Sequence, residues 1–298
     1  ENYQVNILAK GLREQKTKTL IIFIDNHKGR YWNVWHTEMI HELLTYSKKF
    51  GYKVVISSSS ARGYIGDETD GFLLLKNRLA DGAVIFDIKE NDNRIDYLKK
   101  NNIPYVIVGK DIENDCNYVD LDNKKVGFIG CKYLFEKGRT KIKFLLGNKD
   151  FIVNKERAYG FESACKEFGI LSDIFYGVSY IDHAYSIAKE ILEKSEVDAF
   201  FISGDEKVFG VYKAINEKGF KIPDDIAVLS IDNIKYSPYL TPSLSTISQE
   251  VKLFSKEVID MLLMEINNNG QSVQAKILEP KIIERESVWK IFFWIMTT

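Results

Sequence analysis

Two residues carry the chemistry best suited to holding a small polar molecule. Arg157 offers a rigid fork of donors, and Asp232 offers two acceptor oxygens. Both sit where a predicted element ends. A ring with C–H faces also needs flat apolar surfaces, and Tyr31 and Trp32 lie together in the loop after the first strand. Each has a plainer reading: Arg157 pairing with a neighbour on a solvated helix face, and the two aromatics packing under their own helix. Catalytic arrangements are missing by contrast. No GxSxG, P-loop or acid pair with a matched base is visible. Gly127 and Gly130 lack the GxGxxG order and read as helix packing, and Ser57-Ser58-Ser59-Ser60 reads as a loop after a strand. His36 and His41, five apart, fall on different helix faces, and Cys116, Cys131 and Cys165 lack CxxC spacing. Neither set suggests a metal; the cysteines read as small buried hydrophobes of a reduced interior. No cofactor is expected, and no enzymatic activity.

The elements that must position these groups alternate regularly. Apolar runs at Thr19–Ile24, Tyr52–Ser57, Gly82–Phe86, Tyr105–Val108, Ile142–Leu146, Ala199–Ile202 and Ile226–Ile231 read as strands covered on both faces. Between them lie helical patterns such as Asp205–Lys218, with Val208, Val211, Tyr212 and Ile215 on one stripe. Gly51, Gly138, Gly169 and Gly219 stand where helices should stop. Strand–helix alternation with short loops predicts doubly wound parallel sheets. There are too many units for one sheet, and Asp81–Phe86 is echoed by Asp198–Ile202, so two similar α/β lobes are expected. The length of 298 residues agrees with two cores.

A net charge of −1 provides no large field for nucleic acid, so any DNA contact has to be local. The N-terminus shows no apolar run of a secretory signal, and the apolar tail after Ser287 is too short for a bilayer, which needs about 20 residues. A cytoplasmic protein without membrane contact is expected.

Ordered short segments then give a resemblance. Val5-Asn6-Ile7-Leu8-Ala9-Lys10-Gly11-Leu12, followed by Thr17-Lys18-Thr19-Leu20, is similar to a hinge helix and first strand. Gly51-Tyr52-Lys53-Val54, Asp81-Gly82-Ala83-Val84, Ile103-Pro104-Tyr105-Val106 and Val119-Asp120-Leu121-Asp122-Asn123 follow, then Gly138-Arg139-Thr140-Lys141-Ile142. Glu156-Arg157-Ala158-Tyr159-Gly160-Phe161 resembles an R-x-x-G-F signature. Ile222-Pro223-Asp224-Asp225-Ile226, Ile231-Asp232-Asn233, Leu240–Ile247 and Glu284-Arg285-Glu286-Ser287 complete the series. Nearly the whole chain resembles the LacI/GalR regulators, whose core has the periplasmic-binding-protein type I fold.

The resemblance implies an effector-sensing core of a transcriptional repressor. A sugar or sugar derivative would bind in an interlobe cleft, and lobe closure would be coupled to operator binding by a homodimer. It implies that Arg157 and Asp232 hold the effector, with Tyr31, Trp32 and Tyr180 as aromatic contacts and Leu12 as the hinge residue that wedges into the minor groove. The hinge, too short to be a stable helix alone, is expected to be unstructured before Thr17 without operator. Two positions depart from the family pattern. Gly204 and Asp205 stand where Asn-Asp is common, with Asp205 either an effector contact or a helix cap, and Gly109 and Lys110 replace an acidic residue. A glycine and a lysine there suit a larger or anionic effector. The family's DNA-reading helix-turn-helix has no counterpart within these residues. The expected division is 1–16 hinge, 17–138 with 246–272 first lobe, 139–245 with 273–287 second lobe, and 288–298 an atypical tail. The competing reading is an exported solute-binding protein of the same fold that feeds a transporter.

Overall fold

A computed structural model describes residues 16–25, 32–61, 71–89, 91–110, 115–268 and 273–288. Leu12, Tyr31, the hinge segment before Lys16 and the tail after Val288 lie outside the described residues.

The chain forms two compact units, one of residues 1–120 and 251–278, the other of 121–250 and 279–298. The first contains β1 (Thr19–Asp25), α1 (Val34–Lys49), β2 (Lys53–Ser59), α2 (Phe72–Lys76), β3 (Gly82–Ile85), α3 (Asn93–Lys100), β4 (Tyr105–Val108) and β5 (Tyr118–Leu121). The second contains α4 (Asn123–Glu136), β6 (Ile142–Leu145), α5 (Ile152–Phe168), β7 (Ile174–Phe175), α6 (Ile181–Lys194), β8 (Ala199–Ile202), α7 (Val208–Glu217), β9 (Ala227–Asp232) and β10 (Ser245–Ser248). The chain then returns to the first unit for α8 (Val251–Asn268) and β11 (Ala275–Leu278), and ends in the second with β12 (Lys281–Ile283).

The sheet orders are β11-β5-β4-β3-β1-β2 and β12-β10-β9-β8-β6-β7. β1 to β5 and β6 to β10 therefore repeat one winding, 2-1-3-4-5, and their pairings are parallel, whereas β12 runs antiparallel against β10. This is the type I periplasmic-binding-protein fold expected of two doubly wound lobes. The seven apolar runs are strands to within a residue or two, and six are buried nearly throughout, which leaves no polar interruption in the run. β2 differs: it lies at the sheet edge and leaves Val55 and Ile56 exposed, contrary to the cover expected on both its faces. Gly51, Gly138, Gly169 and Gly219 end their helices at φ between 67° and 82°. Of the expected Asp205–Lys218 helix, Asp205–Lys207 is a 3₁₀ turn.

Alternation along β8 separates the two faces of the second sheet. Phe200 and Ile202 join a core with Ala184, Ala188 and Ile191 of α6 and Val208, Val211 and Ile215 of α7. Phe201 turns the other way, stacking on Phe144 at 4.1 Å with Phe161 of α5 beside them. There α4 and α5 touch backbone to backbone. A Cβ on Gly127 would lie 2.0 Å from the Arg157 carbonyl oxygen, and one on Gly160 would lie 1.8 Å from that of Lys124.

That contact moves the first crossing. The boundary expected after Gly138 falls at Asp120, because α4 packs against α5 and so belongs to the second unit. Residues 246–250 also join the second unit, since β10 lies between β9 and β12, while 273–278 join the first through β11 beside β5. Short strands with exposed residues, such as Ala-Lys-Ile-Leu, carry no periodicity that reveals their sheet.

Candidate functional site

The carboxyl ends of β8, β9 and β10 bring together the charged groups of the second unit. These ends are where open parallel sheets bind ligands. Asp232 ends β9, and Gln249, one residue beyond β10, donates to its Oδ1 at 2.5 Å. Arg157 comes from the second turn of α5 and is 6% exposed. Its Nε donates to Asn123 Oδ1 at 2.9 Å, and its Nη1 to Ser203 Oγ, just after β8, at 2.8 Å. Asn123 is the first residue of α4 and donates in turn to the Leu121 carbonyl at 3.1 Å. The glycine contact brings the Arg157 backbone close to Gly127, one turn along α4 from Asn123, which the Arg157 side chain reaches.

Arg157 and Asp232 also sense each other electrostatically. Burial pushes the Asp232 carboxyl up to about 7, helped by the charge of Asp205; Arg157, the Gln249 hydrogen bond and Lys207 pull the other way. Burial likewise lowers Lys207 to about 8, with Asp232 opposing and Arg157 reinforcing the change. The result is a guanidinium, an ammonium and a carboxyl poised near neutrality, flanked by two amides and a hydroxyl. Such a set both donates and accepts, as a polyhydroxyl compound requires.

Of the two roles expected of Asp205, the helix cap is not taken: Gly204 occupies that position, without a side chain to cap with. At 1% exposure its Oδ2 accepts from Ile234 N at 3.1 Å and Ser237 Oγ at 2.5 Å, and its Oδ1 from Thr246 Oγ1 at 2.6 Å. Both oxygens are engaged inside the unit, so Asp205 is a brace joining the ends of β8, β9 and β10. Burial still pushes it up to about 6, against these hydrogen bonds. Tyr180 is in the same unit, half-buried at the start of α6, where its ring meets His183 edge-on at 5.3 Å.

The first unit carries its own set at the corresponding strand ends. Trp32 is half-buried immediately before Asn33, whose side chain caps α1 by accepting from His36 N at 2.8 Å. His36 Nε2 lies 3.1 Å from Asp87 Oδ1, and Lys89 pairs with the buried Asp25 at the end of β1. Lys110 is half-buried after Gly109, which takes a φ of 111° at the end of β4. Arg94 is fully buried, paired with Asp92 through Nε at 2.9 Å and Nη2 at 2.7 Å, and it also reaches the Phe86 and Asp87 carbonyls. A paired, fully hydrogen-bonded guanidinium of this kind fixes the loop after β3. Among the described residues there is no group of three or more His, Cys, Asp or Glu placed to hold a metal ion.

Sequence reasoning reached Arg157 and Asp232 but missed Asn123, Ser203, Lys207 and Gln249 as members of the cluster, and Arg94, His36 and Asp87 in the first unit. Asn123 closes one of the segments that carry the family resemblance, so its place was visible though its role was not. Lys207 adjoins an apolar helical stripe that drew attention away from it.

Fold and site together define a two-lobed α/β binding protein of the periplasmic type. Residues 131–288 match the periplasmic binding protein-like domain family. The chain is 27% identical over 293 residues to the HTH-type transcriptional repressor PurR of Vibrio atlanticus, covering 96% of this chain and 86% of that protein. Among solved structures it resembles a CelR–cellobiose complex (TM-score 0.80, 20% identity, 94% of this chain and 89% of that one). It also resembles a LacI family regulator from Enterococcus faecium with bound ribose (TM-score 0.77, 21% identity, 92% and 99%). The chain belongs to the periplasmic binding protein-like domain family, and over nearly its whole length it is similar to LacI/GalR-type regulators.

Proposed function

We propose that this chain is the sensing core of a transcriptional repressor, and that its effector is a sugar or sugar derivative held between the two lobes. Arg157 donates to effector hydroxyls, Asp232 accepts from them, and Trp32, Tyr31, Lys110 and Tyr180 complete the contacts. Closure of the lobes changes the spacing of paired hinge segments in a homodimer, and so the affinity for operator DNA, which Leu12 touches in the minor groove. Such a repressor works in the cytoplasm. The observation that carries the reading is the placement of Arg157 and Asp232 at one carboxyl edge, within electrostatic reach of each other. Relatives named as repressors and structural neighbours that hold cellobiose and ribose support it. Because those relatives are regulators, they do not favour the exported solute-binding reading.

The test is a thermal-shift screen of sugars, sugar phosphates, nucleobases and amino acids. A ligand at 100 times its Kd adds about 2.7 kcal/mol to the stability of a folded protein that alone binds it. Arg157→Ala is expected to abolish the shift while circular dichroism shows an unliganded protein that still folds. A shift that survives in Arg157→Ala removes Arg157 from the site.

A further inference from the structure

Lys207 behaves unlike a lysine at the start of an exposed helix. It ends the 3₁₀ turn before α7, whose next residues, Val208 and Val211, are fully buried. A lysine in such a place ordinarily extends its ammonium to water. Here the side chain folds back toward the sheet, and its Nζ donates to the carbonyl of Ser203, at the end of β8. A Cβ built on Gly204 would lie 3.2 Å from Lys207 Cε and 3.4 Å from Nζ. The lysine thus runs through the space a side chain at 204 would enter, and the φ of 119° at Gly204 independently disfavours one there.

The ammonium therefore stands beside Ser203, whose hydroxyl takes Arg157, and it feels the charge of Asp232. An ammonium has three donors, and the Ser203 carbonyl takes one. The carboxyls around Lys207 are differently engaged. Asp205 is held by three donors and faces Arg285, Asp232 is poised near 7, and Glu206 acts on Lys207 from the adjacent position. The Lys207 ammonium keeps two further donors, and a charged donor bonds an ionised acceptor roughly twice as strongly as a neutral one.

We propose that Lys207 is a specificity-determining residue: lying in the place of a side chain at Gly204, its ammonium selects effectors that carry an acidic group, a carboxylate or a phosphate, over their neutral parents. This rests on the reading that Arg157 and Asp232 hold the effector. Isothermal titration at pH 7.5 with D-glucose, D-glucuronate, D-glucose 6-phosphate, D-ribose and D-ribose 5-phosphate tests it on the whole chain. At least one acidic probe is expected to bind the wild type tenfold or more tightly than its neutral parent. Lys207→Met, of similar length and apolar, brings the two within about threefold, whereas Lys207→Arg keeps the preference. The carboxylate and phosphate arms decide which acid is preferred. Equal or tighter binding of the neutral parents, no binding of any acidic probe, or a preference that persists in Lys207→Met overturns the proposal. Arg157→Ala separates the underlying reading. If every probe binds that folded variant as it binds the wild type, the Arg157–Asp232 site fails, whatever Lys207 does.

Discussion

A carboxyl pushed up to about 7 makes Asp232 a source of pH dependence in folding as well as a ligand group. Its unfolded value is near 3.8, so the folded state holds its proton more tightly. The stability this contributes is complete below pH 3.8 and lost as the pH rises through about 7. Asp232→Asn keeps the oxygen that accepts from Gln249 and never ionises. Urea unfolding across pH 4 to 8 should therefore show the variant equal to wild type at the acid end. It should become more stable by on the order of 2 kcal/mol above neutrality. A gap that is constant, or widest in acid, rejects this account. At this scale Arg157 and Asp232 were legible through the family-like segments they stand in, Glu156–Phe161 and Ile231–Asn233, since their types alone do not single them out among so many charged residues. The partners of Arg157 were not, since Asn123 and Ser203 are 34 and 46 residues away and of types that serve equally well in turns. Asp205 misled for a related reason. An aspartate before a helical stripe looks like a cap, and only the neighbouring loop, which brings Ile234 and Ser237 to it, turned it into a brace.

Among the elements, the contact of α4 with α5 decides the most. It puts α4 in the second unit, and it carries Arg157 to Asn123. Gly160→Ala sets a methyl 1.8 Å from a backbone carbonyl, which no rotamer change relieves. The helices have to part, and urea denaturation is expected to show a loss of about 1–3 kcal/mol or more. Gly127→Ala, which presses directly on the Arg157 carbonyl, is expected to weaken effector binding as well. Unchanged stability in both variants would mean that the helices stand further apart than described. The sequence marked Gly127 and Gly130 as packing glycines, and Gly127 does pack against α5, while Gly130 lies against the Phe201 ring. It could not show that this packing binds α4 to the element after it instead of the sheet before it.

For the whole molecule, the reading of a coupled sensor makes a thermodynamic demand. Effector and operator must change each other's affinity by one and the same factor. Operator titrations with and without saturating effector, and effector titrations with and without operator, measured on the protein as the cell makes it, are expected to return equal ratios. Unequal ratios exclude simple two-site coupling, and a ratio of one excludes regulation by that effector.

The repeated alternation of apolar run and amphipathic helix was enough by itself to determine two parallel α/β lobes and the positions at which most strands begin and end. Those features are local: burial on both faces writes itself into consecutive residues, and a helix stop needs only a glycine. Tertiary structure alone decided where the chain passes between the units, which short strands complete each sheet, and how Lys207 and Asp205 spend their charges. Each of these depends on residues far apart in sequence meeting at a packed edge, where space and desolvation, and not residue type, select the partner.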